Sequence, residues 1–302
     1  MTQRVLVLGG TGMLGAMMVR VLREQGMEAE ATARILTDDS KLLGWHWFDA
    51  NQFNLNTIDI PEHLKRADWI INCIGVTKPV IDADPTKGTK NAIEINALFP
   101  HLLARSLHSH QRIIQIATDC VFSGRQEDPA TEDTPHDALD VYGKTKSLGE
   151  VVAPNFMHLR TSIIGPELRP EKKFLLEWFL GQPQGATVNG FTNHYWNGMT
   201  TLQFSKVVAG IIKNPELFRA GVHHLCPAAR TTKFHLLAEA GIIFDRPDIA
   251  VVPKSSGTKV NRFLETNDPG FNRKLWQGAG YEHPPQVAEM LAELAEYIRV
   301  SP

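Results

Sequence analysis

Cysteine is scarce and widely spaced in this chain of 302 residues: Cys73, Cys120 and Cys226 form no Cys-x-x-Cys pair. This scarcity disfavours a disulfide framework and a thiolate zinc site, and we expect no metal. An excess of charge of one sign is also absent, since 31 Lys plus Arg face 33 Asp plus Glu and the net charge is -2. Such a chain has no field that would steer it onto nucleic acid or an anionic membrane.

Long apolar runs are missing as well, because no stretch approaches the ~18 residues that a transmembrane helix needs. The first residues enter a short apolar run at once, without the longer apolar stretch and cleavage site of a signal peptide. Hydrophobic residues nevertheless make up 43% of the chain, which is enough for a sizeable core. These features predict a folded, reduced, cytoplasmic protein.

The first half of the chain alternates short apolar runs with segments of helical periodicity. Strands are predicted over residues 5–8, 28–33, 69–74, 112–117 and 157–160, and helices over 13–26, 91–107 and 141–152. Alternation at this spacing predicts an α/β fold with a doubly wound parallel sheet. The regular alternation of strands and helices ends after Gly165. We therefore predict a first domain over 1–165 and a smaller α/β domain over 166–302.

The second half contains an irregular stretch rich in glycine and aromatic residues, at 190–198. After it, Thr200 and Gln203 have the spacing of a capping box that opens a helix to about Lys213. We expect this helix, about 200–213, to pack back on the first domain. A last amphipathic helix is predicted from about 285 to 300.

A glycine loop, residues 9–15, stands directly between the first predicted strand and the first predicted helix. Its Gly-x-x-Gly-x-x-Gly spacing permits a tight turn, a close approach of phosphate to the backbone, and close packing of helix on strand. Phosphates then meet the free N–H groups of the helix N-terminus. The predicted dinucleotide contacts are Gly9, Thr11, Gly12, Met13, Leu14 and Gly15.

Arg34 ends the second predicted strand, where NAD-selective sites usually carry an acid that binds the ribose 2′-hydroxyl. A guanidinium pairs with a 2′-phosphate instead, so this position favours NADP(H) over NAD(H). Two alternatives stay open. In the first alternative, Arg34 is an ordinary surface residue that follows the strand. In the second, Glu30 within the strand is the acid that binds the ribose 2′-hydroxyl of NAD(H).

Tyr142 and Lys146 are four residues apart in the predicted helix 141–152, so they lie on one helix face. Thr118 directly follows the strand 112–117, at the sheet edge where such folds bind their ligands. A Tyr-x-x-x-Lys pair alone is weak, because such pairs also occur on ordinary surfaces. A buried Tyr beside a solvated Lys is therefore the competing interpretation.

Four segments together resemble the extended short-chain dehydrogenase/reductase superfamily: residues 9–15, 72–75, 117–124 and 142–150. Within it, the chain is most similar to the dTDP-4-dehydrorhamnose reductase-like branch, with its Ser-Thr-Asp-Tyr-Val-Phe-x-Gly and Tyr-Gly-x-Ser-Lys-x-x-Gly-Glu patterns. Ala117, Cys120 and Thr145 depart from these patterns, where the branch has Ser, Tyr and Ser. The similarity covers roughly the first 165 residues well and the remainder loosely.

The resemblance implies an NAD(P)-binding Rossmann domain followed by a mainly substrate-binding domain, and reduction of a nucleotide-linked 4-keto-6-deoxy sugar. In the implied triad, Tyr142 protonates the C4 carbonyl oxygen, Lys146 lowers the Tyr142 pKa and holds the nicotinamide ribose, and Thr118 aligns the carbonyl. Further implied cofactor contacts are Asp49, for which a turn role is the alternative, and Cys73, Ile74 and Gly75. The implied substrate contacts are Asp119, Cys120, Phe191, Asn193 and Trp196, and core packing is the alternative for the last three, which lie in the 190–198 stretch.

Other functions compatible with the resemblance stay open. Cys120, two residues after Thr118, is placed like the proton-carrying cysteine of epimerase–reductases, with His194 as its candidate partner. A non-catalytic, NADP-binding regulatory subunit is another alternative. A 4,6-dehydratase is disfavoured, because its pattern has Thr-Asp-Glu where this chain has Cys120 as the third residue. The nucleotide, the sugar and the oligomeric state, of which a homodimer is one expectation, are left open.

Overall fold

The computed structural model describes residues 3–53, 60–167 and 172–300. Its strands are β1 (Arg4–Leu8), β2 (Glu28–Ala33), β3 (Trp45–Trp47), β4 (Trp69–Asn72), β5 (Arg112–Thr118), β6 (Phe156–Thr161), β7 (Ile163–Ile164), β8 (Thr187–Phe191), β9 (His194–Trp196), β10 (Met199–Thr200), β11 (Gly221–His224), β12 (Thr231–Thr232), β13 (Ala250–Lys254) and β14 (Val260–Arg262). Its α-helices are α1 (Met13–Glu24), α2 (Asp38–Leu42), α3 (Glu62–Arg66), α4 (Lys78–Ala83), α5 (Pro85–Ala92), α6 (Phe99–Ser106), α7 (Val141–Leu148), α8 (Leu175–Leu180), α9 (Thr201–Lys213), α10 (Lys233–Ile243), α11 (Pro269–Gly278) and α12 (Val287–Val300).

A seven-stranded sheet with the order β11-β6-β5-β4-β1-β2-β3 forms the centre of the molecule, and all its pairings are parallel. Helices cover both faces, which is why the apolar run from Val5 to Leu8 is buried completely. The predicted doubly wound α/β sheet is confirmed. None of the helices described is long and apolar enough to cross a membrane.

The chain after residue 165 returns twice to this sheet. Strand β11 pairs with β6 and forms one edge of it, and α9 packs against α1. A small lobe, which we define as residues 187–196 and 231–262, contributes the parallel pair β13–β8 and the sheet β12-β9-β14. The division into two domains at residue 165 stays a prediction.

Two sequence predictions about helices differ from the structure. The segment predicted as a helix over 91–107 begins earlier, at Pro85, and contains a π-helical stretch, Ile93–Leu98, between α5 and α6. Pro100 follows this stretch and has no N–H to donate to the carbonyl of Asn96, which interrupts the regular ladder. Helix α7 ends at Leu148 rather than near 152, with Gly149 at its C-cap.

The predicted capping box at the start of α9 is wrong. The Thr200 hydroxyl hydrogen-bonds the Gln203 side chain, and no side chain caps the backbone there. The Gln203 amide instead donates to Glu293 at 2.7 Å and to the Tyr281 hydroxyl at 3.2 Å. This polar network connects α9 to α12. It engages the Gln203 side chain, which a capping box would need for a hydrogen bond to the Thr200 N–H.

Candidate active site

The carboxyl ends of β1, β4 and β5 lie side by side, because these three strands are adjacent and parallel. The glycine loop follows β1, the segment starting at Cys73 follows β4, and Thr118 is the last residue of β5. Three of the predicted motifs, separated by about sixty and forty-five residues in sequence, therefore meet at one sheet edge.

The glycine loop has the geometry that a dinucleotide pyrophosphate requires. Gly9 has a φ of +84°, and a Cβ on Gly15 would lie 2.2 Å from the Gly9 carbonyl oxygen, so a side chain is excluded there. A Cβ on Gly12 would meet only that same oxygen, at 3.4 Å, which leaves the outer face of the loop accessible. Helix α1 has no capping side chain and no acid in its first turn, so its N-terminal N–H groups suit phosphate oxygens.

Arg34 is exposed and directly follows the last residue of β2. Glu30 lies three residues before the end of that strand and contacts His46 at 2.9 Å, away from the carboxyl edge. This placement disfavours Glu30 as the acid of the cofactor site. Asp49, after β3, accepts the Asn51 N–H at 3.1 Å and so closes a turn, as its alternative interpretation expects.

The segment Cys73, Ile74 and Gly75 lies against the glycine loop. The Cys73 N–H donates to the Leu8 carbonyl at 3.1 Å, and the Ile74 side chain is the nearest neighbour that a Cβ on Gly9 would meet. Burial raises the pKa of the Cys73 thiol to about 12, and the nearby Lys146 opposes this rise. Cys73 is therefore a neutral, apolar residue beside the glycine loop, and its contact with the cofactor stays a prediction.

Thr118, Tyr142 and Lys146 come together in the structure. Helix α7 starts where the Asp140 carboxylate accepts the Gly143 N–H at 2.8 Å. A Cβ on Gly143 would lie 2.1 Å from the Cys120 carbonyl oxygen, so the glycine lets α7 approach the end of β5. Tyr142 thereby hydrogen-bonds the Thr118 side chain, while the Lys146 ammonium donates to the Ile116 carbonyl at 2.9 Å.

Burial controls the protonation of both triad side chains on α7. It raises the pKa of Tyr142 above its usual value, the electrostatic effects of the neighbouring Cys120, Asp119 and Asp140 add to the rise, and the Thr118 hydrogen bond opposes it. The net shift is therefore upward, opposite to the predicted lowering, and the phenol is neutral at physiological pH, while the effect of Lys146 itself stays a prediction. Burial also lowers the pKa of Lys146 to about 8, against the charge of Glu150.

Sequence reasoning missed a set of buried polar side chains whose hydrogen bonds hold the segments at this sheet edge in place. Asn96, in the π-helical stretch, forms two hydrogen bonds of 2.8 Å with the backbone of Val76 and donates to the Thr145 hydroxyl at 3.3 Å. Asn72 donates to Gln115 at 2.7 Å, and Gln115 reaches the Gly149 carbonyl at 3.2 Å. No spacing rule marks these residues, although buried amides within apolar runs were a usable signal.

A second missed feature is the Arg160 cluster, which we define as Arg160, Glu150, His136 and His224. Arg160 is 1% exposed and donates to the Glu150 carboxylate at 2.6 Å and 3.2 Å. Arg160 Nη2, which donates to Glu150 at 2.6 Å, also contacts His136 at 2.8 Å, and Nη1 contacts His224 at 2.7 Å. The guanidinium lies over the Phe122 ring. Burial lowers the pKa of both histidines, that of His224 to about 4, so both are neutral.

Asp119 and Cys120 follow Thr118 in a 3-10 turn. Asp119 is buried, its pKa is raised by burial, and it accepts the Thr118 hydroxyl at 3.2 Å. Cys120 lines a cavity of about 210 Å³, which we call the Cys120 cavity. Burial, followed by the charge of Asp119, raises the pKa of the Cys120 thiol to about 12, so it is protonated.

The remaining predicted substrate residues all lie in the small lobe, and none of them lines the Cys120 cavity. The Asn193 amide bonds the backbone of Ser256, Phe191 stacks on His194 at 4.5 Å, and Trp196 closely covers Gly198. His194 itself contacts the Ser256 hydroxyl at 2.8 Å. These contacts are structural, and a direct contact of the three residues with substrate stays a prediction.

The comparison with protein families is decisive at this point: the family model described as RmlD substrate binding domain matches residues 3–262. The chain belongs to the RmlD family. A curated relative from Streptomyces antibioticus, a probable dTDP-4,6-dihydroxy-2-methyloxan-3-one 4-ketoreductase, is 26% identical over 286 residues, covering 92% of this chain and 89% of the relative.

Solved structures show the same fold across nearly the whole RmlD-family chain. A dTDP-4-dehydrorhamnose reductase from Clostridium acetobutylicum has a TM-score of 0.70 at 21% identity, covering 98% of this chain and all of its own. A dTDP-4-dehydrorhamnose reductase from Bacillus anthracis, solved in complex with NADP, has a TM-score of 0.72 at 17% identity, covering 99% and 100%. The predicted family is confirmed, and with it an enzyme of the sugar-nucleotide oxidoreductase class.

Proposed function

We propose that this RmlD-family protein uses NADPH to reduce the C4 ketone of a nucleotide-linked 4-keto-6-deoxy sugar. The observation that carries the proposal is the meeting of Thr118, Tyr142 and Lys146 at the sheet edge that also holds the glycine loop. The curated relative from Streptomyces antibioticus is itself named as a 4-ketoreductase, which supports the same class of reaction.

The residues present fit a dinucleotide, since Gly15 lets α1 pack directly against the loop, the Gly12 position is open on its outer side, and the first turn of α1 has no capping side chain. In the proposed site, the glycine loop binds the pyrophosphate, Arg34 binds the 2′-phosphate, and Lys146 binds the nicotinamide ribose. Residues 73–75 form the wall beside them. When bound, the reduced nicotinamide supplies a hydride to the carbonyl carbon.

Tyr142 is the proton donor in the proposed mechanism. Its raised pKa keeps the phenol protonated, so it can hydrogen-bond the ketone oxygen and transfer its proton as that oxygen gains charge. The Thr118 hydroxyl, next to the phenol, turns from Asp119 when substrate binds, donates to the same oxygen and aligns it. The Lys146 ammonium, held by the Ile116 carbonyl, stabilises the phenolate that remains.

The direct test is NADPH oxidation with a panel of 4-keto-6-deoxy sugars linked to dTDP, UDP, GDP or CDP. We expect turnover with at least one of them, and an alcohol at C4 in the product. A purified protein that binds NADPH and a protein partner but oxidises no NADPH across the panel would overturn the proposal in favour of a regulatory subunit.

Cofactor choice gives a first prediction. Arg34→Ala should weaken NADPH binding roughly tenfold or more and leave NADH binding nearly unchanged, because only NADPH carries the 2′-phosphate. Nicotinamide fluorescence titration measures both affinities. The matched control is Arg105→Ala, because Arg105 is an exposed arginine, and it should leave both affinities unchanged. Arg23→Ala is unsuitable as a control, since the Arg23 side chain donates to the Ala29 and Leu43 carbonyls. Equal loss for both cofactors would contradict the assignment of Arg34.

The pH dependence gives a second prediction. The pKa of Lys146 is lowered to about 8, so its positive charge is present below that pH and is lost above it. We therefore expect kcat/KM for the sugar nucleotide to fall as pH rises through about 8, while the Tyr142 phenol stays protonated. Lys146→Arg, which keeps its charge, should be slower but should lack this alkaline fall. A wild-type profile that is flat to pH 10 would contradict the assignment.

Cys120 gives a third prediction, because the alternative function requires it to exchange protons. Its thiol pKa is raised, whereas a catalytic thiolate needs a lowered one, and His194 is engaged by Ser256 and Phe191. Reduction is therefore expected without epimerisation. In heavy water with NADPH, no enzyme-dependent deuterium should enter C3 or C5 of the product. Deuterium there, abolished by Cys120→Ser, would establish the epimerase–reductase instead.

A further inference from the structure

The Cys120 cavity is lined by three basic side chains, from Arg125, Lys259 and Arg262. They come from two segments far apart in sequence, which the structure brings together. A Cβ on Gly124, with a φ of +78°, would meet Val260 at 3.1 Å and Arg262 at 3.4 Å, and the Asn261 N–H donates to the Gly124 carbonyl at 2.7 Å. The turn that carries Arg125 is therefore held directly against β14.

None of these three cations forms an ion pair with any residue that the structure describes. Arg262 donates to two backbone carbonyls, those of Asp119 and Phe122, and Lys259 lies 5.7 Å from the centre of the Tyr195 ring. Arg125 and Lys259 are both exposed. Asp140 also lines the cavity, so three cations face one carboxylate there, and a concave site with this excess of positive charge attracts an anion.

The acids near the cavity are already bound by other groups. Asp140 accepts the Gly143 N–H at 2.8 Å as the cap of α7, and Asp137 accepts the N–H and the hydroxyl of Ser123, both at 2.6 Å. Asp119 is buried and accepts the Thr118 hydroxyl at 3.2 Å. These acids hold the walls in place and leave the basic groups of Arg125 and Lys259 for a ligand.

We propose that Arg125, Lys259 and Arg262 bind the diphosphate of the nucleotide-linked sugar, an inference that rests on the proposed function. The Cys120 cavity is adjacent to the triad in the chain, since its lining residue Cys120 is two residues after Thr118 and its lining residue Asp140 is two residues before Tyr142. In a nucleotide-linked pyranose the diphosphate is attached at C1, across one ring from the reacting C4. An anion held in this cavity would therefore orient the ketone toward Tyr142.

The test measures binding of dTDP, UDP, GDP and CDP by calorimetry, with saturating NADP+ so that the cofactor site is filled. Arg125→Gln and Lys259→Gln should each weaken the tightest nucleoside diphosphate roughly tenfold, and together roughly a hundredfold. Affinity for the matching nucleoside without phosphate should not change. Arg262 is left intact because its guanidinium also holds the backbone. Lys254→Gln, an exposed lysine of the same lobe, is the matched control.

The outcomes separate this proposal from the proposed function. If the double variant binds the nucleoside diphosphate as tightly as the wild type does, the diphosphate site is overturned and the proposed function is not affected. A second measurement compares sugar nucleotides with and without a carboxylate on the sugar. If the double variant keeps its affinity for the nucleoside diphosphates but loses a preference for the carboxylate-bearing sugar nucleotides, the cations bind the sugar and the diphosphate site is overturned. A wild-type protein that binds NADP+ but none of the four nucleotides would overturn the nucleotide-sugar function itself. An unchanged NADPH affinity of each variant shows that it is folded.

Discussion

Tyr142→Phe is expected to lower kcat for the sugar nucleotide by about 10²–10⁴-fold, the usual contribution of a general acid. The variant removes only the hydroxyl oxygen that donates the proton and hydrogen-bonds Thr118. NADPH binding should change little, because the glycine loop and Arg34 are untouched. Steady-state NADPH oxidation and fluorescence titration of the cofactor measure the two properties separately.

The matched control for this prediction is Tyr297→Phe. This substitution also removes a hydroxyl that donates a hydrogen bond, here to Glu24 at 2.6 Å, but Tyr297 lies on α12, away from the sheet edge. Activity of this variant should be close to that of the wild type. If Tyr142→Phe keeps more than about a tenth of the wild-type kcat, another group supplies the proton and the assignment of Tyr142 is wrong.

The features that sequence predicted correctly are those in which a short segment contains the whole geometry. The glycine loop needs only a strand, three glycines and a helix, and the close contact at Gly15 is internal to it. The spacing of Tyr142 and Lys146 is likewise fixed by one helix turn. Adjacent parallel strands then bring Thr118 to them, so the fold and the proximity of these three residues could be predicted from the pattern, while their catalytic roles stay a prediction.

The features that sequence did not predict depend on contacts between distant segments. Lys146 has the expected position, but the burial that controls the Tyr142 pKa comes from the whole surrounding fold. The π-helical stretch lies just before Pro100, and its Asn96 carbonyl is so close to Gly149 that a Cβ there would lie 1.9 Å away. The Cys120 cavity needs residues 120–125 beside 258–262, and no local pattern joins these segments.

Arg160→Met should destabilise the protein by about 3–5 kcal/mol, because it leaves the Glu150 carboxylate buried without its partner. Glu150 is 9% exposed, and Arg160 provides two hydrogen bonds to it. Denaturation monitored by circular dichroism measures the loss. The matched control is Arg299→Met, which removes a guanidinium from an ion pair with Asp245 whose partners are 58% and 82% exposed. Exposed pairs contribute little, so the control should unfold close to the wild type.

A double-mutant cycle distinguishes a lost ion pair from a lost packing volume. If the buried charge of Glu150 causes the damage, adding Glu150→Gln to Arg160→Met should recover part of the stability, and the two losses should not add. Simple additivity would show that Arg160 acts through packing against Phe122 instead. The cycle also bears on catalysis, because the charge of Glu150 raises the Lys146 pKa. In the folded double variant, the alkaline fall of kcat/KM should therefore begin at a lower pH than in the wild type.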